Sequence, residues 1–399
     1  MTETAKNIIH LLLDNIQSQP NVIALRHKQL GIWQQWSWSD LVQTIHHYSE
    51  ALEKFGLKTD QKILILNEPN IHFFALIFAA RILSVQTHFV ETKNSNELTE
   101  IIQHISPEYI FLDDLAQFNI NLNSINSSQI IYFQDRRINQ THEVKLHNFE
   151  KILDQNKSTP ADLSKLFEDI NINSKQNLEL HFHKFEQQQH YQIAYTEQAL
   201  ILEAEKLIAS NGLTENEQSL VTREISNHDL IRYLLATWLI AGFGLNIPET
   251  FDTRDQDQKV IAPTFLIGNS EIYGRLYHLA LQKLPNNTSW LYRLAPSLTF
   301  RKNESSEQTP TENIFSKILY PLFKQSLLES LGYGNLRIAL NVGTSNNDTT
   351  THFFQSLGIE LKNWTNEENW QSKPNQSAQH QKVISHHDFE QIHLGNAHV

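Results

Sequence analysis

Along the chain, apolar positions gather into short unbroken runs and longer periodic stretches that alternate with each other. Lys62-Ile63-Leu64-Ile65-Leu66 has the length of a buried strand, and Ile71–Leu83 follows with apolar residues on every side, as in a helix buried all round. Strands are predicted next at Val85–Val90, Tyr109–Leu112 and Ile130–Phe133, with a helix over Asn96–Ile105 that Pro107 stops. Short strands separated by helices pair in parallel through right-handed crossovers, so the pattern predicts an α/β fold of parallel sheets flanked by helices.

Residues 151–190 are polar and weakly periodic, carry the turn signal Ser158-Thr159-Pro160, and read as an irregular linker. Beyond them the alternation returns. Strands are predicted at Gln192–Tyr195, Ser219–Thr222, Phe243–Ile247, Thr264–Ile267, Leu336–Val342 and Ile359–Trp364. Helices are predicted at Glu197–Ala209, Asp229–Ala241, Ile272–Leu284, Ile314–Leu331 and Thr350–Leu357. The chain therefore divides into a first α/β subdomain (residues 1–175), a second (176–370), and a polar, His-rich tail (371–399) expected to be disordered. In Trp36-Ser37-Trp38 the strand period sets both indoles on one face, packed against the core.

Composition acts mainly by exclusion. Hydrophobic residues make up 40% of the chain and aromatics 10%, enough for a sizeable core. A formal charge of -12 leaves no basic footprint, with Arg136-Arg137 the most local basic pair, so neither nucleic acid nor an anionic membrane surface is an expected partner. The chain has no cysteine, which excludes disulfides, thiolate zinc sites and cysteine nucleophiles and suits a reducing compartment. The opening MTETAKNIIHLLLDN lacks a cleavage-site pattern and reads as the first amphipathic helix of a cytoplasmic chain. Phe73–Leu83 carries Arg81, Tyr233–Leu245 contains Gly242 and Gly244, and both fall short of the roughly 18 to 20 apolar residues of a membrane span, so no transmembrane segment is expected.

Several collinear segments resemble the AMP-forming acyl-CoA synthetases, in particular the long-chain fatty-acid–CoA ligase branch of the adenylate-forming superfamily. Pro20–Trp38 is similar to that family's opening Trp-rich hairpin. Leu235–Glu249, Pro263-Thr264-Phe265-Leu266 and Leu336–Lys362 are similar to successive pieces of its large amino-terminal domain. The resemblance covers roughly 360 residues and implies the fold of that domain. It ends near residue 370, so the family's carboxy-terminal lid is expected to be absent.

The same resemblance shows where family motifs are altered. In the family, the strand similar to Ile193–Thr196 leads into a loop rich in glycine and hydroxyl groups, whose N–H donors and lysine cradle the triphosphate. Here Thr196 joins Glu197-Gln198-Ala199-Leu200 directly, and the Glu197 carboxylate is expected to repel a triphosphate. Glu224-Ile225-Ser226-Asn227-His228 replaces the acyl-tunnel segment and leaves His228 as a candidate acyl-pocket residue. Gly343 and Thr344 stand at the adenine-contacting turn, and Thr196 marks the end of the truncated phosphate loop. Glu367 and Glu368, where the family has Tyr-Gly-x-Thr-Glu, are the candidate metal ligands. No catalytic residue is assigned.

The resemblance thus implies a degenerate acyl-CoA synthetase-like protein that does not activate acids with ATP. Its expected ligand is a fatty acyl chain or an acyl-CoA, its expected partner a complete synthetase homologue that it regulates, and no cofactor is expected. One alternative is a residual AMP-forming long-chain fatty-acid–CoA ligase, which needs ATP and Mg2+; another is a remnant without a ligand.

Each candidate also has a plainer reading. Glu367-Glu368 fits a solvated turn, His228 between Asn227 and Asp229 fits a helix cap, and Gly343–Asn347 fits a turn that needs small residues. His181-Phe182-His183 sets two imidazoles on one face of a strand, a zinc pair lacking a third ligand. His386-His387-Asp388 lies in the tail without a placed nucleophile.

Overall fold

The computed structural model describes residues 7–92, 94–117, 128–136, 146–156, 179–283, 314–364 and 368–373. Asn7 caps α1 (Ile8–Ser18) by accepting from the N–H groups of Ile9 and His10. The antiparallel pair β1 (Ile23–Gln29) and β2 (Ile32–Ser37) follows, and Ser37 then caps α2 (Trp38–Phe55) in a reciprocal box with Asp40. Next come β3 (Lys62–Ile65), α3 (Ile71–Ile82), β4 (Gln86–Val90), α4 (Ser95–Ile105), β5 (Tyr109–Asp114), β6 (Gln129–Gln134), β7 (Leu146–Asn148) and α5 (Phe149–Gln155). The middle of the chain forms β8 (Glu179–Glu186), β9 (Gln189–Thr196), α6 (Glu197–Asn211), β10 (Gln218–Leu220) and α7 (Asn227–Leu230). A π-turn (Ile231–Leu235) joins α7 to α8 (Ala236–Ala241), and β11 (Gly244–Ile247), α9 (Arg254–Ile261), β12 (Phe265–Gly268) and α10 (Ser270–Lys283) follow. Last come α11 (Ile314–Leu331), β13 (Ile338–Val342), α12 (Asp348–Ser356), β14 (Leu361–Trp364) and β15 (Gln371–Lys373).

These strands build a seven-stranded sheet, β14-β13-β12-β10-β11-β1-β2, and an eight-stranded sheet, β15-β9-β8-β4-β3-β5-β6-β7. Pairing is parallel except for β1 with β2, β8 with β9, and β9 with β15. Neither sheet comes from one contiguous stretch: β1 and β2 join the later strands, while β8, β9 and β15 join the earlier ones. No described helix is long and apolar enough to cross a membrane.

The alternation of strand side chains sorts the core into two faces. Ile63 and Ile65 of β3 pack with α3 in the main core, whereas Leu64 packs with α4 on the other side. The main core is pinned by Trp38 and Trp238, both 0% exposed, whose rings stack at 5.3 Å. Phe74 of α3 meets Trp238 edge-on at 5.5 Å, and the indole Nε1 of Trp238 donates to the Ala24 carbonyl of β1 at 3.1 Å.

One consequence of the strand order positions a cavity. The chain leaves β3 for β4 on one side, then crosses back to β5 on the other, with α3 and α4 on opposite faces. A crevice lies at the carboxyl ends of these strands, lined by the segments that follow β3, β4 and β5.

Three expectations change. Part of the predicted linker folds into α5 and the β8–β9 hairpin; the hairpin was hidden because histidines take the second buried face of β8 beside Leu180 and Phe182. Residues 157–178 lie outside the described residues. Trp38 does not share a strand face with Trp36, because Ser37 already caps α2 and Trp38 turns inward as its first residue. The predicted tail begins with a strand: β15 pairs antiparallel with β9, from Gln371 opposite Gln192 to Lys373 opposite His190. His386, His387 and Asp388 lie outside the described residues.

Candidate functional site

The site grows from the junction of β9 and α6. Thr196 has extended backbone (φ -72°, ψ 151°), and its side chain accepts from the Ala199 N–H at 3.2 Å, so strand becomes helix with a single capping residue between them. Glu197, the first helical residue, is 3% exposed and accepts from Arg81 Nε of α3 at 2.8 Å. Burial pushes the Glu197 carboxyl up from its usual range and the Arg81 hydrogen bond pulls it back. The expected repulsion by Glu197 is therefore corrected: its charge is met inside the core by a guanidinium 116 residues away in sequence.

One residue before the cap, the Tyr195 hydroxyl lies 2.9 Å from His228 Nε2. The other ring nitrogen, Nδ1, is 3.1 Å from Asp229 Oδ1, so the imidazole bridges the Tyr195 hydroxyl and the Asp229 carboxylate. Burial pushes the Tyr195 phenol up, which keeps its proton in place. The His228 backbone N–H donates to Glu91 Oε1 at 2.8 Å, and Ser226 caps the short helix α7. His228 is 3% exposed, packs edge-on against Phe182 at 5.2 Å and meets the tilted Trp370 ring at 5.2 Å.

Glu368 closes the cluster. Its Oε1 accepts from Arg232 Nη1 at 2.8 Å and its Oε2 from Trp370 Nε1 at 2.8 Å. Arg232 sits in the π-turn that interrupts the predicted helix, and its guanidinium lies over the Tyr195 ring at 5.2 Å and the Tyr233 ring at 4.9 Å. One ligand atom each from His228, Asp229 and Glu368 lies within 4.8 Å of the others.

That grouping tests whether a divalent cation fits. Both nitrogens of His228 and both oxygens of Glu368 already have partners, and the cation on Glu368 is the chain's own Arg232. A divalent cation bound by this donor set would compete with those hydrogen bonds and with Arg232. Glu367 lies outside the described residues.

The adenine-turn candidates fall on the seven-stranded sheet. Gly343 follows β13 with φ 77°, a left-handed conformation suited to glycine, and a Cβ there would meet nothing within 4 Å. Thr344 is tied down from within: its Oγ1 lies 2.8 Å from Ser270 Oγ, and its carbonyl accepts from Asn341 Nδ2 at 2.9 Å. Val342 pairs with Trp364, so this turn and the segment leading to Glu368 leave neighbouring strand ends. Trp364 Nε1 donates to Glu203 of α6 at 2.5 Å.

His181 and His183 do share a face of β8, but they form no zinc pair. His183 Nε2 is 2.9 Å from His88 Nδ1, and His183 Nδ1 is 3.0 Å from His190 Nε2, so each nitrogen of His183 meets another imidazole. The result is a buried hydrogen-bonded row across β4, β8 and β9, with His181 stacked on His88 at 4.7 Å.

The structure thus brings Thr196, His228 and Glu368 into one neighbourhood, with Gly343 and Thr344 on an adjoining edge. Sequence reasoning missed Tyr195, Asp229, Arg232, Trp370 and Arg81. A signal existed for two of them: Arg81 and Arg232 each interrupt an apolar helical run, and a charge there demands a buried partner.

A crevice of about 730 Å³ adjoins this cluster across Glu91. It is lined by the segments that follow β3, β4 and β5 and by residues 223–227.

No protein-family model and no curated protein matches the chain. Its fold does match solved structures. The A-PCP didomain of a carboxylic acid reductase from Segniliparus rugosus, in complex with AMP, aligns at TM-score 0.63 and 12% identity over 92% of this chain and 53% of that chain. The acyl-CoA synthetase of Brucella canis aligns at TM-score 0.62 and 12% identity over 91% of this chain and 58% of that chain. A putative long-chain-fatty-acid CoA ligase from Rhodopseudomonas palustris CGA009 aligns at TM-score 0.59 and 13% identity over 92% of this chain and 78% of that chain. At such identities the likeness shows the fold alone, that of the amino-terminal domain of adenylate-forming enzymes. The alignments span between about half and three quarters of those chains.

Proposed function

We propose that this protein uses the adenylate-forming fold to hold a small ligand without activating it through ATP. The observation that carries this reading is the β9–α6 junction. A helix amino terminus binds phosphate through free N–H groups on a permissive loop, yet here Thr196 caps the helix and Glu197 follows at once, paired in the core with Arg81. Arg232 on Glu368 supports the same reading, since a bound divalent cation would have to displace that guanidinium.

The crevice bears on the ligand. A fatty acid or an acyl-CoA would carry its anionic groups toward walls that include Glu91, Asp113 and Glu271, so those expected ligands are disfavoured there. The residual-ligase reading requires chemistry that an exchange assay detects directly. The protein, incubated with Mg-ATP, labelled pyrophosphate and a panel of carboxylic acids, is expected to move no label into ATP above a protein-free control. Acid-dependent exchange would overturn the proposal.

A further inference from the structure

The imidazole row across β4, β8 and β9 limits the number of protons it can carry. His88 Nδ1 lies 2.9 Å from His183 Nε2, and His183 Nδ1 lies 3.0 Å from His190 Nε2, so His183 meets an imidazole at each of its ring nitrogens. All three rings are buried. A link between two ring nitrogens holds when one carries a proton and the other offers a lone pair, and it fails when both carry protons.

The three rings own six nitrogens, four of them in the two links, and each link has room for one proton. The two outer nitrogens, His88 Nε2 and His190 Nδ1, raise that room to four at most. Three neutral imidazoles already carry three protons. One more fits. A second sets two N–H groups head to head across one of the links, where repulsion replaces the hydrogen bond.

The surroundings make even the first added proton costly. His88 Nε2 is buried and has no hydrogen-bond partner, so a proton placed there finds no acceptor. The fields acting on His88 come from His181, Lys62 of β3 and His104 of α4, and those acting on His183 from His88, His190, His181 and His104. Each of these groups is positive when charged. His181 stacks on His88 at 4.7 Å, and His104 meets His190 edge-on at 4.9 Å. Glu179 stands 3.8 Å from His181 Nε2, Lys184 and Glu186 pair with each other at 3.3 Å, and Lys373 of β15 lies opposite His190. Burial first, and then these neighbours, push His88 and His183 down from the usual imidazole range.

The row ties together strands that lead to the junction. β8 pairs in parallel with β4, from Thr87 opposite Leu180 to Val90 opposite His183, and antiparallel with β9. β9 ends in Tyr195 and Thr196, and Phe182 of β8 packs against His228. Loosening the hairpin therefore takes the junction apart.

We propose that the His88–His183–His190 row is an acid-operated latch, which holds the β8–β9 hairpin on β4 through at most one added proton and releases it on the second. The latch goes beyond the preceding reading and does not depend on it. Its opening is measured without ATP or a ligand, so pyrophosphate exchange tests the one and leaves the other untouched.

The test is amide hydrogen exchange of the full chain, read by peptide mass and corrected for the intrinsic pH dependence of exchange. Below pH about 6.5, where unfolded histidine is charged, β8 and β9 are expected to exchange faster than Ile71–Ile82 of α3, which marks their opening as local. Between pH about 6 and about 5 their protection is expected to fall about a hundredfold, tenfold for each of two protons taken up on opening. His183→Gln keeps a donor and an acceptor in the row but removes its central titrating group, and is expected to reduce that fall to about tenfold. If His183→Gln fails to fold, His88→Gln takes its place. Protection of β8 and β9 that does not change over this range, exchange of the hairpin that coincides with that of α3, or an unchanged slope in the folded variant would each overturn the proposal.

Discussion

Two regions meet at His228 and treat charge in opposite ways. On the ring side, the β9–α6 junction pairs its ionic groups internally: Glu197 with Arg81, Glu368 with Arg232, and the imidazole between Tyr195 and Asp229. On the backbone side, Glu91 takes the His228 N–H and, with Asp113, lines a cavity; among the described residues neither carboxylate forms a close ion pair, although Arg223 lines the same cavity. A region that completes its own ion pairs has no charge left to recruit a ligand.

The largest effect that would break this comparison is acid unfolding of the packed side. Burial lowers His27 to about 3 and His72 to about 4, and it lowers His88 and His183 as well, with neighbouring histidines adding to the last two. Above the unfolded value of about 6.5 both states are neutral and stability is flat. Below it the unfolded chain takes up protons that the fold refuses. Stability is then lost at about 1.4 kcal/mol per pH unit for each such histidine, down to its folded pKa. The raised carboxyls of Glu91, Asp113 and Glu197 act oppositely, since the fold takes up protons there before the unfolded chain does. A urea midpoint that falls steeply between pH about 6.5 and about 5 is expected; a flat one would mean that these imidazoles are solvated.

Next in size is the buried pair. Glu197→Ala strands Arg81 in the core and is expected to cost about 3–5 kcal/mol by urea denaturation, while Arg81→Met with Glu197→Leu recovers most of it. Recovery failing in the double variant would assign the pair a role beyond charge balance. Smaller again, Tyr195→Phe leaves His228 Nε2 without its hydrogen-bond partner and should cost about 1 kcal/mol. Thr196→Ala should cost a similar amount, roughly 1 kcal/mol, by removing the helix cap. The smallest effect belongs to the open side: Glu271→Gln, on the exposed crevice wall, should shift stability by less than about 0.5 kcal/mol. A large loss there would mean that the crevice is as closed as the junction.

Much of this was legible in the chain. The all-round apolar run at Ile71–Leu83 predicted the buried helix, because side chains on a helix repeat their direction every few residues and leave no polar face to hide. The absence of glycine between Tyr195 and Leu200 showed the strand running straight into a helix. What stayed hidden involved polar residues doing buried work. His181, His183 and His190 made β8 and the start of β9 look like a linker, and the contacts of His181 and His183 with His88 on β4, and of His190 with His183, make that face buried. Arg232 announced a partner but not which one, since Glu368 lies 136 residues away in sequence.

The order of apolar and polar positions alone determined most of the helices and the short strands that pair in parallel, because each of those depends on the direction of side chains a few residues apart. Which guanidinium meets which carboxylate was decided only by the tertiary fold. Coulomb attraction and desolvation act through space, between Arg81 and Glu197 or Arg232 and Glu368, and distance along the chain says nothing about them.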